Sequence, residues 1–218
     1  MVVIECLRFL GNLSFLLEIN GTTCVINPSK KSNFTLRDVR RCDLVFITSE
    51  EDDCFDPELI KLINERTYAS VVAPKHILSR IDISDKFKVD IKTNDRFSLK
   101  GLDIQATKSA HPQSSYPVGY LVSSAKWRIY YSGSTYAFTD MNKISCDVAI
   151  LPIAGTYCMD AFAAASACRD LRPKYAIPIA YDVGQANLSA RVSEFANDLP
   201  KTTKPIILKP GSAAKLKK

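Results

Sequence analysis

Two apolar runs joined by Asn20-Gly21 place the strongest constraint on how this chain can fold. The runs cover residues 13–19 and 22–26. Asn-Gly suits the two positive-φ positions of a type I′ turn, a short connection between antiparallel strands. The sequence therefore predicts a β-hairpin near the start of the chain.

The next apolar run, residues 42–48, is short and continuous, which is typical of a strand covered on both faces. It ends in an acidic cluster at residues 49–54. Asp56-Pro57 then has the pattern of an N-cap followed by the first residue of a helix. Further strands are predicted at 68–73, 102–106, 118–122, 127–131, 147–153, 175–179 and 206–208, and helices near 75–79, 160–171 and 188–197.

Two strand-rich segments that each supply helices predict an α/β (α+β) fold, a four-layer αββα sandwich with its loops gathered along one edge. The 218 residues are 46% hydrophobic and 24% charged, and no linker divides them. We therefore expect one domain over residues 1–218, with a short basic C-terminal tail at about 209–218. No apolar stretch approaches the roughly 18 residues that would span a membrane.

Seven cysteines occur without any CxxC pair, and an odd number argues against a disulfide framework. We therefore expect free, mostly buried thiols and a cytoplasmic protein. The net charge of +6 arises partly from the lysines of the tail, Lys209, Lys215, Lys217 and Lys218. A nucleic-acid surface would show arginines and aromatic residues interleaved along one element, so the sequence argues against a nucleic-acid partner.

The order of several motifs resembles the metallo-β-lactamase superfamily, specifically the short metal-dependent hydrolases related to ascorbate-6-phosphate lactonase. The resemblance covers nearly the whole chain and implies the four-layer sandwich. Its motifs are Phe9-Leu10-Gly11-Asn12 with the strand after it, Val25-Ile26-Asn27-Pro28, His111-Pro112-Gln113-Ser114-Ser115, Ser132-Gly133-Ser134-Thr135, Leu151-Pro152-Ile153-Ala154-Gly155-Thr156, and Ile177-Pro178-Ile179-Ala180-Tyr181-Asp182.

Members of this family bind two metal ions, and the resemblance implies which positions would hold them here. Asp53 and His111 match family ligands, whereas most of the other ligand positions are substituted. Ser49, Glu51 and Cys54 stand at three histidine positions of the family loop, Ser134 at the bridging aspartate, Ala180 at the last histidine, and Asn12 and Asn27 at a histidine and an aspartate that flank the site.

Ligand counting then predicts that the two-ion centre is lost. A tight site needs three or four nitrogen, sulfur or carboxylate donors, and neither half of this one keeps three strong ligands. The expectation is therefore that no metal cofactor is bound. The alternative is one weakly bound Zn or Mn ion on Glu51, Asp53, Cys54 and His111.

Each candidate also has a structural interpretation. For the acidic run it is a solvated loop before the next helix, and for His111 and His76 it is a hydrogen-bonded structural residue. A Cys54–His111 pair could supply a nucleophile, but the acidic neighbours of Cys54 disfavour a thiolate. Tyr116, Tyr157 and Tyr181 could belong either to the core or to a cleft.

Three hypotheses for function follow. The first is a pseudoenzyme or binding protein with a small-molecule ligand or protein partner. The second is a hydrolase of a small phosphorylated or lactone-type substrate that uses a single metal ion, and the third is a protein or nucleic-acid interaction module. The sequence does not indicate an oligomeric state. The cleft candidates are Ser49, Glu51, Asp53, Cys54, His111, Ser134, Tyr157, Ala180 and Asp182.

Overall fold

Two seven-stranded sheets form the centre of the protein in a computed structural model, which describes residues 5–32, 34–182 and 188–216. The strand order is β14-β1-β2-β3-β4-β5-β6 in the first sheet and β13-β12-β11-β10-β9-β8-β7 in the second. The strands are β1 (Cys6–Gly11), β2 (Ser14–Ile19), β3 (Thr22–Ile26), β4 (Leu44–Phe46), β5 (Ser70–Ala73), β6 (Lys88–Asp90), β7 (Arg96–Leu99), β8 (Leu102–Lys108), β9 (Val118–Ser123), β10 (Arg128–Tyr131), β11 (Val148–Pro152), β12 (Tyr175–Ile179), β13 (Lys204–Pro205) and β14 (Ala213–Lys215).

Four α-helices cover the outer faces of the two sheets: α1 (Pro57–Thr67), α2 (Lys75–Leu78), α3 (Ala161–Leu171) and α4 (Leu188–Asp198). Leu59 and Ile63 of α1 pack in one apolar cluster with Val45 and Val71 of the first sheet. Helices α3 and α4 contact each other, and α3 also contacts β11 of the second sheet. The predicted αββα layering is confirmed.

The main core lies between the sheets and explains the continuous apolar runs of the sequence. In β4, Leu44 and Phe46 point into the core between the sheets, whereas Val45 belongs to the cluster under α1. A strand that is buried on both faces cannot alternate apolar with polar residues. The predicted hairpin is also present, with β2 and β3 paired antiparallel from Phe15–Ile26 to Ile19–Thr22.

Helix α1 begins where the sequence predicts. The carboxylate of Asp56 accepts a hydrogen bond of 3.1 Å from the backbone N–H of Leu59, and Pro57 is the first helical residue. The first N–H groups of a helix have no partner within it. Asp56 accepts a hydrogen bond from one of them, and proline at the first position has no N–H to satisfy. The helix therefore starts directly after the acidic loop and fixes where that loop ends.

The edge strands differ from the sequence prediction. The strand predicted at 206–208 is instead β13 at Lys204–Pro205, which pairs with β12 only through Tyr175 and Ala176. In the predicted basic tail, β14 pairs antiparallel with β1, so this segment adds a strand to the first sheet. Lys217 and Lys218 lie outside the described residues. Short edge strands carry little apolar periodicity, which is why β6, β7 and β14 were not predicted. The interior strand β1 was also not predicted.

All seven cysteines are free thiols, and six of them are buried, with Cys6 half-buried. The expectation of buried thiols is thus confirmed. Among the described residues, no helix is both long enough and apolar enough to cross a membrane.

Buried hydrogen bonds tie the two sheets together near one edge. The hydroxyl of Tyr131, on β10 of the second sheet, donates at 2.5 Å to the backbone carbonyl of Leu13, in the turn that joins β1 and β2 of the first sheet. It also accepts a bond of 3.3 Å from the side-chain amide of Asn27. Tyr120, on the neighbouring strand β9, donates to the carbonyls of Ile47 and Val72. These tyrosines bring hydroxyl groups across an otherwise apolar interface.

We predict that Tyr131→Phe lowers the free energy of unfolding by about 1–3 kcal/mol, because it removes the hydroxyl that donates to the buried carbonyl of Leu13 and accepts from one amide N–H of Asn27. Equilibrium denaturant unfolding measures the change. Tyr136→Phe is the matched control, since Tyr136 is exposed and loses the same atom. A loss no larger than that of the control would contradict the importance of this hydrogen bond.

Candidate functional site

The carboxyl ends of the parallel strands β3, β4, β10 and β11 meet at one edge, and this convergence places the candidate residues. The backbone N–H of Val118, at the start of β9, donates to the carbonyl of Thr48 at 2.9 Å, which joins the two sheets there. Asn12 and Asn27 both have left-handed backbone conformations, with φ of 51° and 49°. Asparagine tolerates this conformation better than most residues, so both positions form tight turns at the edge.

A carboxylate–imidazole pair lies at the centre of this edge. Nε2 of His111 contacts Oε2 of Glu51, and Nδ1 of His111 lies 3.0 Å from the backbone carbonyl of Tyr157. A carbonyl can only accept, so Nδ1 carries a proton. Nε2 then faces the carboxylate of Glu51, and the His111 side chain is almost fully buried.

Asp53 lies next to this pair in a more enclosed position. Burial, followed by the neighbouring charge of Glu51, raises the pKa of the Asp53 carboxyl group. Within the described part of the chain, its buried Oδ1 atom has no hydrogen-bond partner. An unpaired buried carboxylate oxygen is costly, and it is the kind of atom that a cation or a ligand donor would satisfy.

Cys54 is fully buried and is surrounded by hydroxyl groups. Its Sγ atom lies 3.6 Å from the hydroxyl of Thr48, and the hydroxyl of Ser49 also faces the thiol. Burial, and then the charge of Asp53, raise the pKa of Cys54 well above its ordinary value. The thiolate is therefore disfavoured, as the sequence indicated, and a Cys54–His111 nucleophile is not supported because the imidazole is paired with Glu51.

Ser134 and Ala180 lie at the ends of their strands but offer little to an ion. The hydroxyl of Ser134 contacts the thiol of Cys158, a neighbour that the sequence analysis did not identify. Ala180 has a φ of 58°, and its backbone N–H donates to the carbonyl of Asn12. The carboxylate of Asp182 accepts from the N–H of Asn12 at 2.9 Å, and it therefore holds the Asn12 turn.

Glu50 was interpreted from sequence only as part of a solvated acidic run, yet it joins three segments. Its carboxylate accepts hydrogen bonds from the hydroxyl of Ser114 at 2.5 Å and the N–H of Ser115 at 2.6 Å, and it lies 3.3 Å from Nε2 of His76. Burial alone would raise the pKa of Glu50, but the hydrogen bonds outweigh burial and lower it to about 2. The structure thus assigns His76 a partner and holds the Ser-rich loop against the acidic loop.

Three tyrosines whose location the sequence left open are now placed. Tyr116 and Tyr157 are exposed on loops at the site edge, whereas Tyr181 is buried and stacks against Phe9. Tyr157 reaches the site through its backbone carbonyl, which binds His111. The aromatic rings of Tyr116 and Tyr157 are therefore available to a ligand at the rim.

Comparison with known proteins identifies the family. A sequence profile described as the Beta-lactamase superfamily domain matches residues 6–180. Metal-dependent hydrolases of the UPF0173 group are similar over 96% of this chain and 99% of their own length: one from Sulfurisphaera tokodaii at 29% identity and one from Sulfolobus acidocaldarius at 28%. The metallo hydrolase Igni18 from Ignicoccus hospitalis has the same fold, with a TM-score of 0.84, 24% identity, and 98% of this chain and 99% of that chain covered. The protein belongs to the metallo-β-lactamase superfamily, in its short metal-dependent hydrolase branch.

The names of these relatives contradict the sequence-based prediction that no metal cofactor is bound. Proteins similar over their whole length are named metal-dependent hydrolases, so a metal ion is the cofactor of the group. The side chains of this chain nevertheless do not fit the two-ion centre. Among the described residues, no three His, Cys, Asp or Glu side chains converge to hold an ion. The imidazole of His111 is paired with Glu51, and Ala180 has no donor atom.

The lowered pKa of Glu50 predicts a pH-dependent contribution to stability. Because the folded pKa is about 2 and the ordinary value is 4.5, the carboxylate stabilises the fold above about pH 4.5, and this stabilisation is lost as the pH falls toward 2. Glu50→Gln should therefore be less stable than the wild type at neutral pH, and the difference should shrink steadily in acid.

Denaturant unfolding between pH 2.5 and 7, values chosen to bracket roughly this window, measures that difference. Glu65→Gln removes an exposed carboxylate of α1 and is the matched control. An equal difference between wild type and Glu50→Gln at every pH would show that the hydrogen bonds of Glu50 do not depend on its charge.

Proposed function

We propose that this member of the metal-dependent hydrolase branch is a pseudoenzyme, a small-molecule-binding protein in which a carboxylate–imidazole pair replaces the two-ion chemistry. The contact between Glu51 and His111 is the observation that supports the proposal. Metal activation of water needs an ion with an open coordination position, and the residue that would bridge two ions is the neutral Ser134. In this proposal the substitutions remove metal activation of water, whereas the cleft is retained.

The cleft is suited to a small polar ligand that donates hydrogen bonds. Glu51 contributes a partly exposed carboxylate, and Asp53 contributes the buried Oδ1 atom that lacks a partner in the described part of the chain. Ligand hydroxyl or amide groups can donate to both acceptors. The exposed ring of Tyr157 offers an apolar face beside them. Such pockets combine a few fixed polar groups with aromatic walls.

A second candidate function is hydrolysis with a single metal ion, and the unpartnered oxygen of Asp53 is the observation that favours it. Asp53, Glu51 and His111 would be the ligands, and the ion would supply a water molecule of lowered pKa. Binding would first have to separate Glu51 from His111. The cost of that step is the reason that we place this candidate second.

We predict that turnover of lactone and phosphodiester substrates by the wild type, with added zinc or manganese, does not exceed that of His111→Ala. Spectrophotometric and chromatographic rate assays provide the measurement. The reason is that no activated water is produced without a suitably held ion. Metal-dependent turnover that His111→Ala abolishes would refute the pseudoenzyme and establish the single-ion hydrolase.

A gain-of-binding variant tests the ligand-counting argument directly. Ser134→Asp combined with Ala180→His returns the family residue types at two positions, and histidine is among the residues that tolerate the left-handed backbone of position 180. We expect this variant to retain more zinc after dialysis than the wild type, measured by elemental analysis. Ser124→Asp, which adds the same charge away from the site edge, should retain no more than the wild type. Equal retention by all three proteins would contradict the argument.

A further inference from the structure

A cavity of 560 Å³ lies beside the Glu51–His111 pair without including either residue. It opens where β5 and β6 end, and Pro74, Ile91 and the ring of Tyr116 contribute apolar surface to its lining. Its volume is in the range of small-molecule binding pockets, about 300–1,000 Å³. The cavity is therefore large enough for a ligand of its own.

The walls of this cavity are fixed by Glu50. One wall is α2, whose His76 contacts the carboxylate of Glu50, and another is the loop that carries Tyr116, whose Ser114 and Ser115 donate to the same carboxylate. A single half-buried carboxylate thus contacts both walls. Pre-organised walls of this kind reduce the entropy that a ligand must otherwise lose.

The charges around the cavity have a net positive sign. Lys75 and Lys92 line it, together with the single carboxylate of Asp90. Within the described part of the chain, none of these three side chains forms an ion pair. His76 is already engaged by Glu50. Two ammonium groups against one carboxylate leave an excess of one positive charge, which complements a ligand that carries a single negative charge.

We propose that this cavity binds an organic monoanion with a flat apolar body, such as an aryl carboxylate. The carboxylate interacts with Lys75 and Lys92, and the body packs on Tyr116 and Ile91. A phosphate monoester carries close to two charges at neutral pH and would exceed the positive charge available. The site needs neither Glu51 nor His111, so it goes beyond the function proposed above and can be tested separately.

Titration of 1-naphthaleneacetate into the full chain, followed by protein NMR chemical shifts, tests the proposal. We expect saturable binding with a Kd on the order of 1 mM, since a fragment of this size reaches only modest affinity. The neutral 1-naphthaleneacetamide should bind about tenfold more weakly. Lys75→Ala combined with Lys92→Ala should weaken the carboxylate by roughly five- to tenfold, because each exposed charge contributes little alone.

Three further variants distinguish this cavity from other surfaces. Tyr116→Ala should weaken binding severalfold through loss of an apolar wall. Asp90→Asn should tighten binding about twofold, because it removes a like charge. Lys86→Ala, which removes an exposed lysine outside the cavity, should leave the Kd unchanged.

Four results would each overturn the proposal. They are the absence of saturable binding, equal affinity for the acid and the amide, unchanged affinity in both the double lysine variant and Tyr116→Ala, or tighter binding of inorganic phosphate than of the carboxylate. Loss of binding in His111→Ala alone would place the ligand at the Glu51–His111 pair and would overturn the separate cavity as well.

Discussion

The side chain of Asn27 forms the hydrogen bonds on which the geometry of the site edge depends. Its amide N–H groups donate to Thr48 in its own sheet and to Tyr131 in the facing sheet, and its Oδ1 accepts from the N–H of Thr48. The resemblance to the hydrolase branch places an aspartate here in other members. A carboxylate has no N–H to donate. The Asn27 side chain therefore forms hydrogen bonds with neighbouring groups of the protein, and this position contributes to the fold.

The other substituted positions follow the same logic. Ser134 faces Cys158, and Ser49 faces Cys54, so these side chains interact with thiols of the protein. Glu51 and His111 contact each other. An ion that used Glu51 and His111 as ligands would first have to break this contact, which leaves polar groups to be satisfied. Within the described part of the chain, the buried polar atoms of the site edge that lack a hydrogen-bond partner are Oδ1 of Asp53 and Oγ of Ser49.

The sequence predicted the elements that local chemistry encodes. Asn20-Gly21 specified the hairpin, the run at 42–48 specified a strand buried on both faces, and Asp56-Pro57 specified the start of α1. The role of Glu50 could not be predicted, because its partner Ser114 is 64 residues away and an acidic run gives no sign of which carboxylate will bind a distant loop. The pairing of Glu51 with His111 was missed for the same reason, since ligand counting treats both only as donors to an ion.

Glu50 and Glu51 are consecutive residues with different partners, and this adjacency connects the two parts of the cleft. Glu51 meets His111, whereas Glu50 meets Ser114 and Ser115 of the loop that begins at His111. A change in the position of that loop therefore acts on both carboxylates. A ligand that packs on Tyr116 contacts the same loop, five residues after His111. The lining of the cavity and the Glu51–His111 pair therefore share one short segment of the chain.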